Sequence, residues 1–472
     1  MKKIPLWGSG MNGKSAVVTS GRRLNCYYEI REDGEKAKIV IYGTPGTSLF
    51  TSLPAIVRGW HVFGNNLYAV AGSVLYSVST TGVSTARGSL STSSGLVEMD
   101  DNGTQLMIVD GTAGYIYNFN TTVFSIISDP NFPNGATTVA SLTGFFLVEN
   151  PGTGQFYISN SYDGLTWPGT FATAESSTDL VTAVSEDHGY AILWGIISIE
   201  FWQNIGTLGF PFAPLIAAAQ EWGLAAKYSR VEFNNTTAFL AQNLQGQVQV
   251  MMLNGFTPQR ISNHDVENII NSFSIVSDAI GMSYMLDGHS MYQLTFQNAG
   301  RSFLYDGSTN IWSEVQTGVS TIAVRHVANL GVTFNGLNYV SDYQNGNIYV
   351  LDPNAYTDNG TAIKRLLQTK HIHDEGNIIT VDEVFLDMET GVGLQLGQGQ
   401  NPQIVMQVAK DGGRFYGNER WTSFGMVGQY LGPRATWRRI GSSRDFVFRF
   451  FTTDPVKFVI TYGAMVTRGL NK

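Results

Sequence analysis

The sequence predicts an all-β chain: a seven-bladed β-propeller over 54–364, with an N-terminal arm (1–53) and a C-terminal β-sandwich (365–472). Three observations predict it. The stretch Asp278–Val315 alternates apolar positions (Ile280, Met282, Tyr284, Leu286, then Tyr292, Leu294, Phe296, then Phe303, Tyr305), with Asp287-Gly288 and Asp306-Gly307 as turn residues. One such four-stranded meander cannot bury both faces and needs copies stacked beside it. The copies are present. An apolar residue followed by Tyr recurs as Leu75-Tyr76, Ile116-Tyr117, Phe156-Tyr157, Leu304-Tyr305 and Ile348-Tyr349, and two degenerate members, Ile199–Trp202 and Val248–Met252, fill the long gap. The spacings run about 40 to 54 residues, the period of propeller blades. Finally, the rhythm changes after residue 365 to longer strands. An all-β protein without a true repeat is the alternative these residues leave open.

The elements follow in order. Ser9–Ser20 is rich in Gly, Ser and Lys and reads as a loose arm; a charged turn, Arg31–Lys36, precedes a strand at Ala37–Tyr42. This arm is expected to add an outer strand to the last blade, because such closure removes an exposed sheet edge. Blades are expected at 54–92, 93–134, 135–183, 184–224, 225–266, 267–317 and 318–364. Gly206–Ala219 is too apolar for a free loop and is expected to pack under the ring or against a partner. Val266, Ile269, Ile270 and Phe273 have helical spacing and predict one short helix. Beyond 365, strands are expected at Thr380–Met388, Pro402–Lys410, Ala435–Ile440, Phe446–Thr452 and Val456–Tyr462.

Composition narrows the function classes. Abundant Gly (52 residues) with only 14% charged residues suits a turn-rich β architecture. No stretch approaches a membrane span, and Met1-Lys2-Lys3 is not followed by a continuous apolar run, so neither membrane insertion nor a signal peptide is expected. The single cysteine, Cys26, excludes an intrachain disulfide framework and reads as a half-buried small residue of a protein made in the cytoplasm. Charge is unevenly placed: +4 over 1–40, −15 over 41–364 and +3 over 365–472. An acidic body with milder basic ends is not a nucleic-acid clamp, which needs a basic stripe to displace counterions.

No motif carries catalysis, a cofactor or a metal. Ser161–Trp167 (SYDGLTW) resembles the Asp-box of sialidase-like propellers, a folding device in which Asp caps the hairpin and Trp packs into the blade. A carbohydrate-binding or depolymerising, sialidase-like propeller is therefore the alternative function. It lacks an arginine triad in recognisable context, and no pair of carboxylates stands out as a glycosidase needs. His371-Ile372-His373-Asp374 lacks a third metal ligand in reach. Asp100-Asp101-Asn102-Gly103 begins like a calcium loop without the later Glu and reads as a hairpin turn. Gly10–Ser15 is not a phosphate-binding loop, because the first glycine and a preceding strand are missing. The feature that stands out is basic and aromatic: Arg434, Trp437, Arg438, Arg439, Arg444 and Arg449 within sixteen residues. In a regular strand Trp437 and Arg439 face one way and Arg438 the other. Arg and Trp are the favoured hot-spot residues of protein interfaces, and solvated sandwich surface is the plainer reading.

Two segments resemble a known family. Arg22–Glu29 (RRLNCYYE), followed by Ile41–Gly46 (IYGTPG), resembles the opening of podophage tail hub proteins, also called packaged-DNA stabilization proteins. Asp411–Val466 resembles that family's C-terminal domain in its Asp-Gly turn with Tyr, its Trp-Arg-Arg-Ile-Gly and its closing Asp-Pro-Val strand. Arg22 and Arg23 are both candidates for the motif's arginine. The resemblance implies a non-enzymatic virion protein of the tail. It implies a hexameric ring below the portal and its adaptor that extends the DNA channel, retains packaged genome, and carries the needle or nozzle and the fibres or spikes. DNA would pass without sequence-specific binding. Arg22, Arg23, Asn25 and Tyr28 join the C-terminal cluster as candidate interface residues, on the expectation that the basic ends dock on acidic rings of neighbouring proteins.

Overall fold

The computed structural model describes residues 2–6, 11, 15, 19–31, 37–177, 179–432 and 434–468. Among the described residues, seven antiparallel units of four strand positions follow one another from Val57 onward, the last completed by Gly46–Ser52. The first comprises Val57–Phe63, Asn66–Ala71, Val74–Ser79 and Ser84–Ser89. In the fifth, two short strands, Gly223–Leu224 and Val231–Phe233, share the inner place beside Thr236–Gln242. The recurrent apolar-Tyr pairs and their degenerate copies all fall on third strands, from Val74–Ser79 to Asn347–Asp352. A third strand is flanked on both sides within its sheet, so its alternate residues face neighbouring blades on either side.

Hydrophobic clusters join each unit to the next, because a twisted sheet with two apolar faces must bury both. Leu106, Ile108 and Tyr117 of the second blade pack on Tyr68 and Val70 of the first. Phe334, Tyr339 and Ile348 of the last blade pack on Val57, Leu67 and Val78 of the first, which closes the ring. Near the axis the inner strands converge so closely that side chains would clash. A Cβ on Gly59 would lie 2.1 Å from the Val97 carbonyl oxygen, and one on Gly281 2.3 Å from that of Ser229. The expected short helix is His264–Ile270, capped by Asn263, whose side chain accepts from the Val266 N–H, with Val266 and Ile270 buried. No helix is long and apolar enough to cross a membrane among the described residues.

The arm differs from expectation. Its strand Gly46–Ser52 does complete the last blade, pairing antiparallel with Asn347–Asp352. Other described stretches of the arm belong to the sandwich and its junction with the propeller. Cys26–Ile30 and Ile39–Gly43 are strands of the sandwich, next to Val459–Arg468. Lys2–Pro5 pairs with that same C-terminal strand. Arg22–Leu24 lies between the outer strand of blade six, Ile311–Val315, and the sandwich strand Arg365–Gln368, so one ten-stranded sheet runs from propeller to sandwich. Cys26, Tyr28 and Ile41 point into the sandwich core with Leu367, Val384, Met406, Phe448 and Ile460. The sandwich is therefore not confined to 365–472; without the arm these apolar side chains would face water. Most of Ser9–Ser20 and of the charged turn after Arg31 lies outside the described residues.

Candidate protein interface

The four arm residues expected at an interface are engaged inside the chain. Arg22 grips Glu314 with two bonds of 2.9 and 3.0 Å, and the same carboxylate accepts from Arg301 at 2.9 Å. Arg23 is buried, donates to the Trp312 carbonyl at 2.8 Å and lies 5.0 Å from the Tyr28 ring centroid. Asn25 adopts φ 53°, a left-handed conformation that Asn tolerates better than most residues. Its amide donates to the Gln316 and Lys364 carbonyls and accepts from the Gln316 N–H. Tyr28 is core. These residues weld the arm between propeller and sandwich. They were expected at an interface from the family resemblance and the basic charge of the chain's ends; their long-range partners left no local signal.

The C-terminal cluster divides. Trp437 is buried, donates its indole N–H to the Arg420 carbonyl at 2.8 Å and packs on Phe450. Arg449 is half-buried, donates to Gln368 at 2.9 Å and stacks 3.6 Å from the Tyr416 ring centroid. Arg434, Arg438, Arg439 and Arg444 are exposed. Arg434 pairs with Asp387 at 2.7 Å, Arg438 with Glu383 at 2.9 Å, and Arg444 donates to the Gly376 carbonyl at 2.6 Å. The expected alternation fails after Trp437. The ladder jumps from Glu383–Arg438 to Val381–Gly441, and Arg439 has φ 58°. This bulge turns both Arg438 and Arg439 outward while Trp437 stays inside.

The bulged strand Ala435–Ser443 ends one sandwich sheet, and Arg420–Ser423 ends the other. Arg420 donates to the Arg438 carbonyl at 3.2 Å, which brings the two edges together. Trp421 (60% exposed) and Phe415 (81%) stand near this basic edge, and neither was among the candidate interface residues. An edge with outward arginines is protected from indiscriminate strand pairing and suited to a specific polar contact. A second apolar surface lies on blade four. Gly206–Ala219 tucks in Phe212 but leaves Leu208 and Ile216 exposed, so only part of it packs on the ring.

The remaining motifs are structural. Asp163 accepts from the Leu165 N–H and the Thr166 hydroxyl, while Trp167 is buried edge-on against Phe132. His371 bonds to Asp445 at 2.7 Å. Asp100 and Asp101 end the first strand of blade two, and Asn102-Gly103 begin the turn to the second, with the Asn102 side chain accepting from the Thr104 and Gln105 N–H groups. His61 joins Asp100 and Asp101 there in the one cluster with metal-ligand spacing among the described residues; its Nε2 already lies 2.6 Å from Asp101. The propeller axis holds polar groups from opposite blades. Arg230 of blade five reaches Glu98 of blade two at 2.6 Å, and Tyr228 lines both axial cavities.

Family models cover both domains. One, described as bacteriophage P22 Gp10, beta-propeller, matches residues 3–356; the other, bacteriophage P22 Gp10, beta-sandwich, matches residues 364–467. The chain belongs to the bacteriophage P22 Gp10 family. It is a structural phage protein of the tail or head–tail region and a component of the virion. The Gp10 family supplies a function class in which the sialidase-like alternative is not favoured. No curated protein matches the chain in sequence. Solved structures resemble it distantly. The extracellular domain of the two-component system BT4673 from B. thetaiotaomicron is 7% identical with a TM-score of 0.45, covering 76% of this chain and 45% of that one. A chain of the mitotic checkpoint complex is 11% identical with a TM-score of 0.41, covering 68% and 94%. The Neurospora crassa Pan2 WD40 domain is 9% identical with a TM-score of 0.39, covering 65% and 95%. The chain spans less than half of the BT4673 domain, and likenesses this distant carry no argument here.

Proposed function

We propose that the chain is the tail hub of its phage. Copies of it form a ring, of six on the family resemblance, below the portal and adaptor. The ring extends the DNA channel, retains packaged genome and carries the distal needle or nozzle and the fibres or spikes. It performs no catalysis. The observation that carries the reading is that both Gp10 family models match, in order, over nearly the whole chain. Two features support it. The arm ties propeller and sandwich into one continuous sheet, which suits a part that bears load between head and tail. The basic sandwich edge, with Arg438 and Arg439 outward, offers a contact for acidic neighbours, whereas Arg23, Asn25 and Tyr28 serve the interior. With Arg230, Glu98 and Tyr228 at the propeller axis, the DNA path belongs between copies rather than through one chain. The propeller's balance of −15 would keep phosphate from sticking along that path. Lys substitutions of acids that face the path should slow genome ejection while particles still assemble; unchanged ejection kinetics would contradict this role of the charge.

A further inference from the structure

Charge is divided between two sides of the molecule. Between Arg87 and Lys227 the chain holds thirteen Asp or Glu and no Lys or Arg. That stretch builds blades two, three and four. The sandwich is joined to blade six through Arg22–Leu24, and blade three stands three places round from it, as far as seven blades allow. The sandwich edge has the opposite sign, with Arg434, Arg438, Arg439 and Arg444 exposed. Each side also carries an apolar surface. On the acidic side a groove of about 600 Å³ is walled by the outer strand of blade three, Phe171–Thr173, and by blade four. Phe171 (46% exposed) and Ile216 (80%) line it over Trp202. Exposed Glu175 lines it too, and exposed Glu221 lies two residues past its Ala219 wall. On the sandwich, the loops after Met388 and after Ser423 bond to each other: the Gly428 N–H donates to the Gly391 carbonyl at 3.4 Å and the Thr390 hydroxyl to the Tyr430 carbonyl at 3.3 Å. They leave Leu396 (81%), Tyr430 (72%) and Leu431 (96%) exposed, with Leu431 three residues before Arg434.

We propose that these two sides meet between copies of the chain: the sandwich edge of one copy docks on the acidic side of the next, with Leu396, Tyr430 and Leu431 over the groove of blades three and four and the arginines facing Glu175 and Glu221. This rests on the reading of the chain as a ring of copies and says which surfaces join them. Charge complementarity argues for the second copy as occupant. A side without a single Lys or Arg attracts a basic surface, and this chain carries one. A contact between like sides would set acid on acid or arginine on arginine, which costs affinity. Unlike sides on opposite flanks of one chain repeat head to tail, and such a repeat makes a ring when its rotation closes. The apolar side chains supply a core for the contact, and the charges form its polar rim.

The test is sedimentation velocity of the purified full chain over a concentration series, without portal or adaptor. The wild type is expected to associate beyond the monomer, and less so as salt is raised. Arg438→Glu with Arg439→Glu reverses one side, and Glu175→Lys with Glu221→Lys the other. All four residues are exposed, so each variant should keep the wild-type circular dichroism and Tm. Each variant alone should associate at least about tenfold more weakly, because like charges then meet. Mixed one to one, the two variants should assemble again, since each reversed side finds its opposite on the other chain. That recovery also shows that both variants are folded. A wild type that stays monomeric, or a mixture that associates no better than its parts, overturns the contact; the hub reading survives either result as long as the chain joins the portal–adaptor complex. A Glu175→Lys, Glu221→Lys variant that associates like the wild type but no longer joins that complex gives the acidic side to another virion protein and overturns the second copy as its occupant.

Discussion

At Glu314 one buried carboxylate holds Arg22 of the arm and Arg301 of blade six. Removing it leaves two guanidiniums without a counter-charge at the junction. Glu314→Ala should cost about 3–5 kcal/mol in urea unfolding, the cost of breaking a buried pair from one side; a loss below about 1 kcal/mol would make the contact a surface one. Asp358 titrates oppositely to a paired acid. It is 5% exposed, and burial pushes it up to about 7, against the pull of Thr317 and Arg365. A carboxyl raised from its ordinary 3.8 stabilises the fold fully below about pH 4, and that contribution is lost as pH rises through 7. Asp358→Asn should therefore gain stability over the wild type between pH 5 and pH 8 by on the order of 2–3 kcal/mol, read as the change in their difference. A pH-independent difference would contradict it. Such residues were visible in the sequence only as types. That Arg23, Asn25 and Tyr28 are buried follows from partners some 290–340 positions away, which no local pattern encodes.

At the scale of elements, periodicity was legible where each strand has its partners nearby. The apolar-Tyr pairs mark third strands because those strands face neighbours on both sides. The outer strand supplied by the arm to the last blade was also readable, since an open ring leaves an edge to fill. Two features were not. The arm strands Cys26–Ile30 and Ile39–Gly43 join a sheet whose other members, Lys2–Pro5 apart, come more than 330 residues later. The bulge at Arg439 breaks the alternation that placed Arg439 beside Trp437. The first has a direct consequence. A fragment of residues 365–472 lacks the side chains of Cys26, Tyr28 and Ile41 in its core. Expressed alone, it should show collapsed, poorly dispersed NMR spectra, and adding a peptide of residues 19–43 should restore dispersion. A fragment that folds cooperatively without the peptide would show that the arm decorates the sandwich rather than completing it.

For the whole molecule, the continuous sheet from blade six through Arg22–Leu24 into the sandwich couples two domains that sequence alone had kept apart. The exposed basic edge is then presented from a stiff platform, as an assembling surface requires. The measurement that tests the hub most directly is native mass spectrometry of the purified chain, alone and mixed with the portal–adaptor complex of the same phage. The chain should join that complex as a defined multimer of one stoichiometry, and the double variant Arg438→Glu, Arg439→Glu should remain folded and fail to join. A wild-type chain that stays monomeric and ignores the complex would contradict the hub.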